Sequence, residues 1–309
     1  MGGVFRAVVL GLLAAQGLAG QAPDERPAPP RPFRSGVDLV TLNVTVTDRA
    51  QRFVTSLGKQ DFIVLEDGRP QAVTFFAYSG VPLTVAILLD TSGSMDGALG
   101  AAQEAATGFI RRLSAGDRAA VIDFDTRVRV AQRFTVDIGA LEEAVRSTVA
   151  DGQTALYDAL YLSLKELEGV SYADADTPRR NAIVLLSDGQ DTSSKQKLDT
   201  VLDLANRSNT AIYAVGLGER DEGGRLATFE AEFALRRLAR ETGGRAFFPT
   251  DMQQLQSIYD EIRRDLASQY TIAYASTNGR RDGRWRNVTV LLAQRDLDAH
   301  TRPGYFASR

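Results

Sequence analysis

The run Val85-Ala86-Ile87-Leu88-Leu89 ends in Asp90, and two hydroxyls follow at alternating positions, Ser92 and Ser94. An unbroken apolar run of this kind fits a strand covered on both faces, as in the middle of a parallel sheet with helices on each side. Asp90, Ser92 and Ser94 then fall at the carboxyl end of that strand, where open α/β sheets bind their ligands. Asp-x-Ser-x-Ser supplies hard oxygen ligands with little negative charge. That chemistry suits Mg²⁺ or Mn²⁺ held by hydroxyls and water, with one coordination position left for another group.

Two further segments fit the same site. Thr154 lies in Asp151-Gly152-Gln153-Thr154-Ala155-Leu156, at the expected start of a helix. Asp188 ends a second apolar run, Ala182-Ile183-Val184-Leu185-Leu186-Ser187. Each residue also has a plainer use. Asp90, Ser92, Ser94 and Thr154 are residue types that cap helices, and Asp188-Gly189 is a common strand-end turn. Asp125 and Asp191 also stand near strand ends and read as loop or turn residues.

From residue 82 to 267 strand-like and helix-like runs alternate. The strands are Leu83–Asp90, Ala119–Phe124, Ala182–Asp188, Ala211–Gly216 and Arg245–Phe248. The helices are Gly97–Leu113, Ile138–Val149, Ala155–Leu167, Lys197–Ser208, Leu226–Glu241 and Asp251–Ala267. Arg127 to Phe134 reads as an antiparallel edge strand. Thr250 and Gln253 have capping-box spacing before the last helix. The pattern predicts an α/β fold: a doubly wound, mostly parallel sheet with helices on both faces.

The flanks read differently. In residues 36–80, Leu42, Val44 and Val46 alternate with polar neighbours as in a half-buried strand. Phe62–Glu66 and Val73–Phe76 bracket Asp67-Gly68, a hairpin signal that Arg69-Pro70-Gln71 could lengthen. Residues 268–307 return to alternation at Tyr270, Ile272 and Tyr274, and again at Val288, Val290 and Leu292. Neither flank holds enough strands to be stable alone, so the two are expected to form one β-sandwich with the α/β domain inserted. Arg280, Arg281, Arg284 and Arg286 read as the solvated end of a hairpin.

Composition removes several function classes. The 309 residues carry a net charge of −3 with mixed signs, which argues against nucleic acid as a partner. With no cysteine, disulfides, thiol catalysis and Cys-ligated zinc are excluded. The single histidine, His300, reads as a surface residue and leaves no basis for a Ser-His-Asp triad. Residues 1–20 look like a signal peptide: one arginine, an apolar stretch Ala7 to Ala19 too short for a stable membrane anchor, then small residues. Residues 21–35 form a Pro-rich spacer. The mature chain is therefore expected to be secreted or periplasmic, with no membrane insertion after cleavage.

Asp90, Ser92, Ser94, Thr154 and Asp188, in three separated segments, together resemble the metal-ion-dependent adhesion site of von Willebrand factor type A domains. The resemblance covers the α/β part. Val44–Asp48, Asp61–Gly68 and the ending Arg302-Pro303-Gly304-Tyr305 look like features of bacterial VWFA-related secreted proteins. The resemblance implies that Ser92 and Ser94 touch a Mg²⁺ (or Mn²⁺ or Ca²⁺) ion, with Thr154 a direct or water-bridged ligand. Asp90 and Asp188 would stand behind them, holding waters and orienting the serines. An ion so held stays electrophilic and can take a carboxylate from a partner protein. The expected function is a secreted, metal-dependent protein-binding module. A second reading is a structural component of a cell-envelope complex whose metal stabilises the fold. A third is a metal-assisted hydrolase, but no histidine or obvious carboxylate base stands beside the site, so no enzyme is expected. The resemblance further implies that the last α/β helix, Asp251 to Ala267, moves when the ion gains a ligand.

Overall fold

A computed structural model describes residues 39–78, 81–173, 179–188, 190–217 and 229–308. All of these belong to one compact unit, Val37–Arg309. The expected signal peptide and spacer lie outside the described residues.

The chain begins with four strands: β1 (Leu39–Asp48), β2 (Phe62–Glu66), β3 (Arg69–Gln71) and β4 (Val73–Tyr78). The α/β part follows as β5 (Leu83–Asp90), α1 (Asp96–Ile110), β6 (Arg118–Phe124), β7 (Val128–Thr135), α2 (Ile138–Arg146), α3 (Leu156–Ala173), β8 (Arg180–Ser187), α4 (Leu198–Arg207), β9 (Thr210–Gly216), α5 (Phe229–Thr242), β10 (Ala246–Phe247) and α6 (Leu255–Ser268). It ends with β11 (Tyr270–Ala275), β12 (Trp285–Leu292), β13 (Leu297–His300) and β14 (Gly304–Phe306).

Six strands form the central sheet in the order β10-β9-β8-β5-β6-β7. All pair in parallel except β7, which runs antiparallel to β6 at the edge. All eight residues of β5 are buried, as a strand between two helical layers requires. Its side chains alternate between two cores. Val85, Ile87 and Leu89 pack with Phe109 of α1, Leu141 of α2 and Tyr259 of α6. Ala86 and Leu88 pack with Leu160 of α3, Val201 of α4 and Leu238 of α5. The connection leaving β5 passes to β6 on one side, and that leaving β8 passes to β9 on the other. A crevice opens where such connections diverge, outside the carboxyl ends of β5 and β8.

The remaining strands form two four-stranded sheets, β13-β1-β11-β4 and β14-β12-β2-β3. Each draws strands from both ends of the chain: β1 pairs with β11, and β2 with β12. They share one core, in which Leu42, Val44, Val64, Tyr270, Tyr274 and Val290 are buried. Phe62, Phe76 and Tyr270 form a ring cluster with centroids 5.0–5.7 Å apart.

Four local expectations need correction. The Asp67-Gly68 turn is a two-residue turn, with φ of 47° and 77°, but it joins β2 to the short β3. After Ala72 the chain crosses to the other sheet, where β4 pairs with β11. Arg286 is not solvated: it is 2% exposed and stands 3.5 Å from buried Glu66. His300 is half-buried and its Nε2 lies 2.9 Å from the Gly244 carbonyl. Before α6 the cap is shifted by one position. Asp251 accepts from the Gln253 N–H, and Gln254 rather than Gln253 reaches back to the Thr250 N–H, at 3.2 Å.

Candidate metal centre

β5 carries Asp90 to the crevice and buries it completely. One carboxylate oxygen accepts the Ser92 N–H at 2.9 Å and the other accepts the Ser187 hydroxyl at 2.5 Å. Burial pushes the Asp90 carboxyl up to about 6, against the lowering effect of those hydrogen bonds. A carboxylate so placed favours a nearby cation.

The loop after Asp90 turns Ser92 and Ser94 towards each other, with their hydroxyls 3.1 Å apart. The Ser94 hydroxyl is exposed and donates to Asp188 at 2.7 Å. Asp188 uses its other oxygen to accept the Gln190 N–H at 3.0 Å. The capping use of these serines is not realised: neither makes a side-chain hydrogen bond to the start of the following helix. Four of the five sequence-selected residues thus form one linked group of oxygens: Asp90, Ser92, Ser94 and Asp188.

Thr154 is held through its backbone by the loop after Asp188. Its N–H donates to the Thr192 hydroxyl at 3.0 Å, and its carbonyl accepts from the Thr192 and Ser193 N–H groups at 2.9 and 3.1 Å. Its side chain is buried, and among the described residues no hydrogen bond links its hydroxyl to the other four. The loop that carries it is tied to the serine loop by backbone bonds, Gly93 N–H to Gly152 carbonyl at 3.0 Å and Asp151 N–H to Thr91 carbonyl at 2.7 Å. Gly152 has φ +75°, and a Cβ there would stand 2.7 Å from the Thr126 hydroxyl. That hydroxyl also accepts the Gln153 N–H at 2.9 Å.

Several supporting residues were not evident beforehand. Ser187 orients Asp90. Its signal was a hydroxyl inside an otherwise apolar strand. Asp158, on the first turn of α3, accepts the Lys195 and Gln196 N–H groups and holds the loop after Asp188. Asp125 and Asp191 do serve loops: Asp125 accepts the Arg127 N–H at 2.7 Å and lies 3.0 Å from Arg129, and Asp191 accepts the Tyr157 N–H at 3.4 Å.

The donor set is all oxygen, neutral hydroxyls in front and carboxylates behind, which fits a hard divalent cation. Among the described residues no group of three or more His, Asp or Glu side chains is placed to hold a metal. Any cation here would depend on the serine and threonine hydroxyls.

The pattern of the von Willebrand factor type A domain matches residues 84–261. An uncharacterized protein of Synechocystis sp. is 34% identical over 146 residues, which is 45% of this chain and 33% of that one. The chain thus spans about a third of that relative's length. A UPF0353 protein of Mycolicibacterium paratuberculosis is 24% identical over 226 residues, 68% of this chain and 67% of its own. Among solved structures, a von Willebrand factor type A protein from Catenulispora acidiphila superposes with a TM-score of 0.52 at 16% identity, covering 89% of this chain and 75% of that one. With the family pattern spanning more than half of its residues, the chain belongs to the von Willebrand factor type A domain family.

Proposed function

We propose that this chain is an exported, metal-dependent protein-binding module. Mg²⁺, or Mn²⁺ or Ca²⁺ in its place, would be held by the hydroxyls of Ser92, Ser94 and Thr154, with Asp90 and Asp188 behind them. When bound, the ion supplies a Lewis-acidic position for a carboxylate of a partner protein. The observation that carries this reading is the pairing of the Ser92 and Ser94 hydroxyls with each other and with Asp188, over a buried Asp90. Domains of this family mediate protein–protein contacts and commonly hold a divalent metal at such loops.

The residues divide the work. Asp90 fixes the serine loop through the Ser92 N–H and is itself fixed by Ser187. Asp188 orients the Ser94 hydroxyl. Keeping carboxylates behind the hydroxyls leaves the ion short of negative charge, so a partner's acid adds affinity. In this reading residues 82–267 are the binding head, and the β segments 36–80 and 268–307 are its mount. Residues 1–20 would direct export, and 21–35 would be a Pro-rich spacer ahead of the folded part. Among the described residues no helix is long and apolar enough to cross a membrane.

The test is retention on immobilised peptides bearing aspartate. The chain is expected to bind in Mg²⁺, to elute with chelator, and to lose retention in Asp188→Ala. Equal retention with and without chelator would contradict the proposal.

A further inference from the structure

A second polar cleft lies at the amino-terminal ends of the central strands, opposite the candidate metal centre. β5 and β8 begin there, at Leu83 and Arg180, seven residues before Asp90 and Ser187. At the rise of a strand that is roughly 23 Å from the metal-site loops. The cleft has a volume of about 230 Å³ and lies between the start of β5, the turn after α1 and the last turn of α6. Several waters fit such a volume, as does a small anion, whereas typical pockets for larger organic ligands start at about 300 Å³.

Three arginines line the cleft: Arg112, Arg180 and Arg263. Their engagements differ. Arg112 forms an ion pair with Asp260 on α6. Arg180 is only 9% exposed, and it donates from Nε to the Val81 carbonyl at 3.1 Å and from Nη1 to the Leu266 carbonyl. Its Nη2 makes no hydrogen bond, and no carboxylate pairs with it, among the described residues. The Nε of Arg263 is buried without a partner, and its guanidinium forms no ion pair among the described residues. The one acid among the described residues lining the cleft, Asp117, has both oxygens engaged, by the Leu83 N–H at 2.8 Å and the Ser114 N–H at 2.9 Å.

A buried guanidinium without a counter-ion costs free energy unless something offsets it. Part of the offset at Arg180 is local, because the Leu266 carbonyl belongs to the last turn of α6, where carbonyls lack helical partners and favour cations. That accounts for Nη1. The Asp117 carboxylate also favours the Arg180 charge, but nothing among the described residues accepts from the buried Nε of Arg263 in the same cleft.

We propose that this cleft binds a small oxyanion of phosphate size through Arg180 and Arg263. Guanidinium forks match the oxygens of phosphate and carboxylate. The anion would supply the missing acceptors, and would brace the last turn of α6 against the start of β5 and β8. The site is independent of the metal centre, and its failure would leave the proposed protein-binding function untouched.

The experiment titrates inorganic phosphate into the full chain, with chelator present, by calorimetry and by thermal unfolding. Chloride at matched ionic strength is the control. Saturable phosphate binding with a rise in Tm that chloride does not produce is expected. Arg263→Gln should weaken phosphate at least tenfold while leaving the Mg²⁺ titration unchanged. Arg263 is half-buried, so this variant keeps the test valid even if Arg180→Lys fails to fold. Equal shifts from phosphate and chloride, or undiminished phosphate binding by Arg263→Gln, would overturn the proposal.

Discussion

Ser94 is exposed, and among the described residues its hydroxyl bonds only to Ser92 and Asp188, so it faces the candidate site and not the core. Ser94→Ala should therefore lower Mg²⁺ affinity at least tenfold and move stability by less than about 0.5 kcal/mol, as exposed substitutions do. Calorimetry and thermal unfolding on one preparation separate the two. Gly152 acts through the backbone. With φ +75° and a Cβ path blocked by the Thr126 hydroxyl, Gly152→Ala strains the loop that holds the serine turn. Weaker Mg²⁺ binding with an unchanged far-ultraviolet spectrum is expected; unchanged affinity would show that the loop does not set the site. Asp265, on α6, is fully buried and accepts the Thr45 hydroxyl. Burial holds its carboxyl above the usual range, against the lowering effect of Thr45, Arg245 and His300. A raised folded pKa means that its contribution to stability is present below the unfolded value and is lost as pH rises through the folded one. Asp265→Asn removes that dependence. Its stability relative to the natural chain should thus improve as pH rises from about 4, by urea unfolding at a series of pH values. A difference that does not change with pH would contradict the account.

At the scale of elements, the central sheet was legible because its strands are apolar on both sides and its helices are amphipathic. The expected β5, β6, β8 and β9 match within a few residues, and the antiparallel edge strand β7 is in place. Helix ends were less legible. α1 stops at Ile110 rather than Leu113, because its last turn tightens before the turn at Asp117. α3 runs on to Ala173, beyond the expected Leu167, since nothing in Glu168–Ala173 breaks a helix but Gly169. The destination of β4 was not legible at all. Val73–Phe76 pairs as well on paper with β2 as with β11, and only the short crossing at Ala72 decides. The segments of the candidate site stood out because carboxylates and hydroxyls follow the ends of apolar strands. The loop-holding roles of Thr126, Asp158 and Thr192 depend on contacts between distant segments, which residue spacing does not encode. Arg302 shows the same limit. It is buried, its pKa is pushed down to about 10 by desolvation, and it donates to the Asn206 carbonyl on α4 and the Thr41 carbonyl on β1. It joins the α/β layers to the β-sheets. Arg302→Ala leaves two carbonyls without their donor and opens a void, so a loss of roughly 2–4 kcal/mol is expected by chemical unfolding. A loss under about 0.5 kcal/mol, the range of neutral surface changes, would deny that joint.

For the whole molecule, the two ends of the chain meet in both small sheets while the six-stranded sheet stands between them in sequence. β1 needs β11 and β13, and β2 needs β12. Ending the chain after residue 267 should therefore leave 39–78 unpaired and open to limited proteolysis, with the α/β part still folded. Protection of 39–78 in that truncation would show that the first flank is stable alone. α6 runs into β11 with only Gln269 between them, and Gln269 bonds the Tyr213 hydroxyl on β9 at 3.0 Å. A shift of α6 would be felt in the β-sheets, so hydrogen exchange across 255–275 should respond to Mg²⁺ together with a carboxylate ligand. The most direct test of the central claim is calorimetric titration of Mg²⁺ into the natural chain and into Asp90→Ala. Saturable binding to the natural chain, abolished in the variant while its fold persists, is the predicted result. Equal binding by both, or none by the natural chain, would contradict a metal centre built on Asp90, Ser92, Ser94, Thr154 and Asp188.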